Sequence, residues 1–174
     1  MTMTALVLAL TLGASSHAVE LGEDFQSALN SLEGEWSGVL IYRDYRTDRR
    51  VTLPHSRTVS VAPDGSYAQS DLVFTDPGYQ VYSSELVTLT GTRVHMAYAS
   101  GGEINLSVAE IESFEATATG WTATLTGPTL DAGQQVEARY TYVIDGSTMS
   151  IEKAVRANDE DAFLFRNGVE MTRQ

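Results

Sequence analysis

The fold is decided by residues 135–156, which read QVEARYTYVIDGSTMSIEKAVR. Two runs rich in β-branched and aromatic residues flank Asp145-Gly146-Ser147, a turn sequence typical of a β-hairpin. Apolar and polar residues alternate in both runs, so each predicted strand has one dry face and one wet face. This pattern is typical of an antiparallel sheet with one buried side. The dry faces carry Ala138, Tyr140, Tyr142, Ile144, Met149, Ile151 and Val155.

Similar strand-forming segments, separated by turn sequences, extend over most of the chain. Turn sequences such as Pro63-Asp64-Gly65 and Asp76-Pro77-Gly78 separate short segments rich in Val, Ile, Thr and Tyr. Since no helical period is long enough for a crossover, a parallel sheet is not expected. We predict an all-β fold, an antiparallel up-and-down β-barrel of about 8–10 strands, with two stacked sheets as the alternative that also protects the edges. The candidate strands are 36–45, 56–62, 66–74, 79–90, 92–99, 103–112, 114–126, 135–144, 148–156 and 163–173.

A short helix is predicted before the first strand. Apolar residues recur at three- and four-residue spacing over residues 24–32. Glu23 and Asp24 favour the helix N-terminus because carboxylates interact well with the positive end of the helix dipole. Gly34 follows as the residue that ends the helix.

The first residues are predicted to be a signal peptide. The apolar run from Ala5 to Ala14 has about the length of a signal-peptide core and is too short to span a bilayer. Ser16-His17-Ala18 matches the small-x-small cleavage pattern, although the segment before the run carries no Lys or Arg. The alternative is a buried strand or helix of the fold. We therefore expect a periplasmic or secreted protein whose mature form begins at Val19 and has no transmembrane span. The predicted domains are 1–18 signal peptide, 19–33 lead-in with the short helix, and 34–174 β-barrel.

Composition narrows the function classes. The 174 residues include 23 acidic and 11 basic side chains, a formal charge of -12, and no cysteine. The acid excess disfavours nucleic acid as a partner, and the missing cysteine excludes disulfides and thiolate metal sites. No Gly-x-Ser-x-Gly, His-Glu-x-x-His, Walker or dinucleotide motif occurs, and residues 159–161 lack calcium-loop spacing. The sequence therefore predicts no cofactor and no metal. It favours binding over catalysis, with paired carboxylates as the remaining catalytic option.

The start of the barrel resembles a known class. The short helix followed by Gly34-Glu35-Trp36-Ser37-Gly38 is similar to the opening of calycin barrels, the lipocalins and fatty-acid-binding proteins. Those proteins carry a Gly-x-Trp at the base of the first strand, and an arginine of the last strand packs over the tryptophan. Counting by twos from Phe163 places Arg173 on the dry face at the level of Trp36, if the first and last strands pair. The resemblance implies structural roles for Gly34, Trp36 and Arg173, and a small apolar or amphipathic ligand. It does not extend to the lipocalin disulfides, or to a helical lid between residues 46 and 56.

A polar cluster is predicted inside the barrel. Counting by twos from Trp36 turns Tyr42 and Asp44 inward, and Lys153, the only lysine, lies within the apolar stripe of its strand. A buried lysine needs a carboxylate, so we expect Asp44 to pair with Lys153 at the height of Phe165. Together with Tyr42, this pair would orient the polar end of a ligand. The alternatives are a bulge that shifts the parity of the strand, or a lysine that extends to the rim.

Arginines are crowded at one predicted hairpin. Arg43, Arg46, Arg49 and Arg50 lie close together in an otherwise acidic protein. Guanidinium groups pair with carboxylates and phosphates, so this hairpin is a candidate contact for an anion or an acidic partner. The alternative, which we favour, is a solvated hairpin whose arginines pair with Asp44, Asp48 and other surface acids.

After cleavage only two histidines remain. His55 follows Pro54 in a predicted bend, and His95 alternates with Val94 and Met96, which places it on the wet face. We expect neither ring to face the barrel interior.

Two functions are compatible with these patterns. The first is an exported barrel that binds a small, partly apolar ligand in its interior, lined by Tyr140, Tyr142 and Phe165. The second is a filled barrel that acts as an interaction or structural module of the cell envelope. An open interior of roughly a few hundred Å³ favours the first, and a solid aromatic core favours the second.

Overall fold

A computed structural model of the chain describes residues 12–44 and 46–174, and in it ten antiparallel strands follow one helix. The strands close into a barrel because β1 pairs with both β2 and β10. The predicted antiparallel barrel is therefore confirmed, with ten strands. The elements are α1 (Leu12–Asn30), β1 (Gly34–Arg43), β2 (Arg50–Val61), β3 (Tyr67–Asp76), β4 (Tyr79–Thr90), β5 (Arg93–Ser100), β6 (Glu103–Ala116), β7 (Gly120–Asp131), β8 (Gln134–Asp145), β9 (Thr148–Arg156) and β10 (Leu164–Arg173).

The helix differs from the prediction in its length. It begins at Leu12 rather than near Asp24 and ends at Asn30. Residues 1–11 of the predicted signal peptide lie outside the described residues, so the cleavage site stays a prediction. Among the residues that the structure does describe, no helix is long and apolar enough to cross a membrane.

Helix α1 closes one end of the barrel. Phe25 is fully buried and meets three aromatic rings edge-on, with centroid distances of 6.3 Å to Phe114, 6.0 Å to Trp121 and 6.0 Å to Tyr142. Leu29 is buried beside it. Edge-to-face contacts of this kind stabilise aromatic clusters beyond the area they bury. The half of the barrel next to α1 is therefore filled with side chains.

The first and last strands close against each other as the alternation predicts. Trp36 lies opposite Arg173 in the ladder between β1 and β10, and the Arg173 guanidinium carbon is 4.3 Å from the Trp36 ring centroid. Arg173 also donates to the carbonyl oxygens of Glu33 and Ser31, the latter at 2.7 Å. Trp36 Nε1 donates to Leu32 O at 2.8 Å. The contact thus satisfies carbonyl groups of the segment that joins α1 to β1.

Gly34 is required at this closure. Its φ of +127° lies in the region that favours glycine, and a Cβ there would be 3.0 Å from an Arg173 guanidinium nitrogen. A side chain at position 34 would therefore strain the backbone and displace the arginine from Trp36.

The other end of the barrel is open and is termed the mouth. Five connections surround it, each joining the end of one strand to the start of the next. Their described residues are 44 and 46–49, 77–78, 101–102, 132–133, and 157–163. The arginine-rich hairpin is the first of them.

Candidate functional site

A cavity of about 630 Å³ lies between the filled half of the barrel and the mouth. Its walls are mainly aliphatic and aromatic because the inward residues of alternating strands face one another. Leu40, Val169 and Ile151 form one such apolar row across β1, β10 and β9. The other apolar and aromatic lining residues are Leu53, Leu72, Phe74, Val81, Met96, Tyr98, Ile104, Leu106, Leu130 and Tyr142.

Above this apolar row, toward the mouth, four polar side chains lie side by side. Tyr42 is opposite Asn167, Asn167 is opposite Lys153, and Lys153 is opposite Tyr140. All four line the cavity. This set, termed the polar belt, extends across β1, β10, β9 and β8 and gives the upper wall of the cavity its hydrogen-bonding groups.

Lys153 carries the charge of the belt. Burial lowers its pKa, the nearby carboxylate of Asp131 opposes that effect, and the Arg166 guanidinium adds to it. The Lys153 ammonium nitrogen is 5.8 Å from the centroid of the Tyr140 ring. Arg166 Nε itself donates to Asp131 at 2.9 Å. The lysine is thus half-buried in the cavity wall with an ion pair nearby.

The predicted pairing of Asp44 with Lys153 is wrong. Strand β1 ends at Arg43, and Asp44 begins the exposed turn that follows. Its Oδ1 accepts hydrogen bonds from the amides of Thr47 at 2.7 Å and Arg46 at 2.9 Å, and from the Thr47 hydroxyl at 2.9 Å. These bonds lower the pKa of Asp44 and fix the turn. The carboxylate therefore points away from the cavity.

The inward position predicted for Phe165 is also wrong. The register between β10 and β9 shifts between Phe165 and Asn167, and the bulge turns Phe165 to the outer face. There its ring lies under Arg50, whose guanidinium carbon is 4.2 Å from the centroid. Asn167 takes the place beside Lys153 that Phe165 was expected to hold.

The arginine hairpin lies at the mouth but outside the cavity lining. Arg43 forms an ion pair with Asp48, which lowers the pKa of that carboxyl, and Arg50 covers Phe165. Arg46 and Arg49 are exposed. The structure thus spreads these side chains over the hairpin, and their contact with an anion or an acidic partner stays a prediction.

His55 lines the cavity, against the prediction that no histidine faces inward. Its Nδ1 is 3.1 Å from Val73 O, and since a carbonyl oxygen only accepts, Nδ1 carries the proton. The ring stacks on Phe74 with centroids 4.5 Å apart. Burial lowers the pKa of His55 to about 4 against the weaker opposing effect of the Val73 hydrogen bond, so the imidazole is neutral at pH 7.

A second buried polar group lies two residues further along β2. Arg57 pairs with Glu85 at 3.2 Å across the barrel interior, with both side chains largely buried. Within the described part of the chain, neither Arg57 Nε nor His55 Nε2 has a hydrogen-bond partner. A buried donor and a buried acceptor thus remain unsatisfied beside the cavity, which is costly unless something occupies it.

The fold and the cavity together define a class, a closed antiparallel β-barrel with an interior that is filled at one end and hollow at the other. No protein-family model matches the chain, and no curated protein matches it. Among solved structures, the chain is similar to the crystal structure of Rv2717c from M. tuberculosis. The two share 16% of residues at a TM-score of 0.62, over 85% of this chain and 96% of that one. At this identity the likeness concerns the fold alone.

Proposed function

We propose that the barrel binds a small amphipathic ligand in its interior. The observation that carries this proposal is the cavity of about 630 Å³, whose size and mainly apolar lining are typical of small-molecule sites. The apolar part of the ligand packs against the row of Leu40, Val169 and Ile151. Its polar end faces the polar belt.

The shape of the barrel supports the proposal. A barrel of about eight strands is just wide enough for side chains to fill, and this barrel has ten. At the helix end, α1 makes up the difference by inserting Phe25 and Leu29. At the mouth end no described element enters the barrel, so the space is left for a ligand.

The polar belt indicates the chemistry of the ligand's polar end. Lys153 is half-buried, and burial destabilises its ammonium form. An anionic group of the ligand, such as a carboxylate, stabilises that form, and Tyr42 and Asn167 stand beside it in the ladder. The proposed ligand is therefore an amphipathic acid.

Membership of the calycin barrels is part of the same proposal. Its support is the contact of Arg173 with Trp36 above Gly34, which matches the arrangement that the sequence resemblance implies. A ligand held inside the barrel is the mode of binding in that class.

The experiment is a titration with 8-anilinonaphthalene sulfonate, a fluorescent amphipathic anion. Ile151→Trp fills the cavity with a larger ring, and we expect it to weaken binding by about tenfold or more because the probe loses apolar contacts. Val143→Trp is the matched control, since Val143 is 43% exposed on the outer face of β8. Unchanged affinity in Ile151→Trp, with both variants folded, would show that the probe binds elsewhere and would contradict the proposal.

Export is a further part of the proposal. It rests on the apolar run of residues 5–14 and the small-x-small pattern that ends at Ala18. N-terminal sequencing of the protein recovered from its host tests it. We expect Val19 as the first residue, and a product that retains the apolar run would contradict export by this route.

A further inference from the structure

The barrel wall is open between β6 and β7 on the side of the mouth. The ladder between these strands ends at Glu110 and Thr126, although β7 continues to Asp131 and β6 begins at Glu103. Over the described residues 103–109 and 127–131, no backbone pairs join the two strands, while each keeps its pairing with its other neighbour. The gap between these two segments is termed the slit.

The sequence at the apex of the slit explains why the ladder stops. A Cβ on Gly127 would lie 2.3 Å from Val108 O, so the two backbones touch at this point. The next residue is Pro128, which has no N–H to donate to a neighbouring strand. The strands therefore separate beyond Gly127. Four residues of β7, 128–131, lie beyond this contact, which makes the slit about 13 Å long at the usual rise of a strand.

The outer rim of the slit is apolar. Ile104 and Leu106 on β6 are 71% and 78% exposed, and Leu130 on β7 is 64% exposed. The residues that alternate with them, Ser107 and Thr129, line the cavity inside. Apolar and polar residues of both strands therefore border the cavity at the slit.

A second cavity joins the slit to the interior. It has a volume of about 300 Å³ and lies over the slit, and Leu106, Ser107, Thr129 and Leu130 line both this groove and the main cavity. The exposed apolar rim is thus continuous with the interior.

Tyr140 of the polar belt connects the two sides of the slit. Burial raises the pKa of Tyr140, and the nearby side-chain hydroxyls of Thr129 on β7 and Ser107 on β6 lower it. One side chain on β8 therefore lies beside two strands whose backbones are not paired.

We propose that the slit is the seat and the entry route for the apolar chain of the ligand, which makes the ligand an amphiphile with a single extended chain. The inference rests on the proposed function and deepens it. The groove is long and narrows to the Gly127 apex, which matches an extended chain. Ile104, Leu106 and Leu130 then cover methylene groups rather than water, which explains their exposure in a protein of net charge -12.

The experiment compares two probes that share a fluorophore, dansyl-labelled undecanoic acid and dansylglycine, which lacks the chain. The variant Leu106→Glu/Leu130→Glu places two carboxylates on the rim of the slit, and Val143→Glu is the matched control on β8. Because all three positions are exposed, folding is preserved. We expect the double variant to weaken binding of the long-chain probe by about tenfold and to slow its association, since the chain must pass two charges.

Each outcome decides a different point. If the wild-type protein binds the long-chain probe more tightly than dansylglycine, and only the double variant loses this difference, the slit is supported as the seat and entry route of the chain. Long-chain binding that is unchanged in the double variant overturns the slit as seat and entry while the proposed function stands. Equal affinity for both probes also overturns the slit, since the chain then makes no contact. Failure of the wild-type protein to bind either dansyl probe or anilinonaphthalene sulfonate overturns the proposed function itself.

Discussion

Phe25→Ala is the substitution that tests how the barrel is closed. Phe25 is fully buried at the centre of the aromatic cluster formed with Phe114, Trp121 and Tyr142. Its removal leaves a hole at the point where α1 enters the barrel. The helix backbone itself is not disturbed, because alanine is the best helix former.

The magnitude follows from the burial and the ring contacts. Truncation of a fully buried phenylalanine to alanine costs about 3–5 kcal/mol. Three edge-on partners keep this residue above the lower limit of that range, since each aromatic pair contributes beyond the buried area. We expect a loss of about 4 kcal/mol in the free energy of unfolding.

Urea denaturation monitored by tryptophan fluorescence provides the assay. With an m-value of about 2 kcal/mol/M, a loss of about 4 kcal/mol lowers the midpoint by about 2 M. Ser27→Ala, at an exposed position of the same helix, is the control and should leave the midpoint nearly unchanged. A midpoint for Phe25→Ala close to that of Ser27→Ala would show that α1 does not close the barrel, and the reasoning would be refuted.

Three further substitutions test the cavity. Lys153→Met should weaken binding of anionic probes by about tenfold without lowering stability, since an apolar chain of similar length replaces a half-buried charge. Fluorescence titration checks the affinity, and urea denaturation checks the stability. His55→Phe should remove a pH dependence of the folding stability. The pKa of His55 is about 4 in the folded protein and 6.5 ordinarily, so the unfolded chain binds the proton first and stability falls as the pH drops from 6.5 to 4. We expect this loss of stability to be about 3 kcal/mol in the wild type and absent in the variant. Thermal melts at several pH values measure it. Equal acid sensitivity of the two proteins would argue against burial of the imidazole. Tyr140→Phe should speed both association and dissociation of dansyl-undecanoic acid in stopped-flow measurements, because Ser107 and Thr129 lose the phenol hydroxyl that lies near both of them. Unchanged rates would mean that Tyr140 does not hold the slit.

The barrel and its closure follow from the sequence because they depend on alternation and turns. Each strand has a period of two, so an inward set can be counted along it, and turn sequences mark where each strand ends. The count reaches the correct face at Arg173 because Val169 and Met171 lie in the regular stretch of β10, although its first steps from Phe163 cross the bulge. Within residues 167–172 of β10, every position pairs with β9 in one register.

Counting every second residue as inward gave the wrong face where the strands are irregular. The bulge at Arg166 reverses the faces of β10 before Asn167, so Phe165 lies outside and the polar belt receives an asparagine instead. Asp44 was placed inside by extending β1 by one residue beyond its end, where the carboxylate instead fixes the turn. Bulges and strand ends depend on contacts with neighbouring strands, which a single sequence does not specify.

Two features of the site that the sequence does not predict lie next to prolines. Pro54 lies within β2, at a position where β3 does not pair with that strand, so its missing N–H costs little and His55 continues inward. The candidate strand 114–126 ends before Gly127 and Pro128, whereas β7 continues past them to Asp131 and only its ladder with β6 stops. In both cases the proline marks an interruption of pairing rather than of the strand.

The most direct measurement is native mass spectrometry of the protein purified from its own host, with the Ile151→Trp variant prepared in parallel. If the interior is a ligand site, the wild-type barrel carries a small amphipathic molecule that dissociates on activation and is absent from the variant. A wild-type protein that carries no small molecule, or a variant that carries the same one to the same extent, would contradict ligand binding inside the barrel.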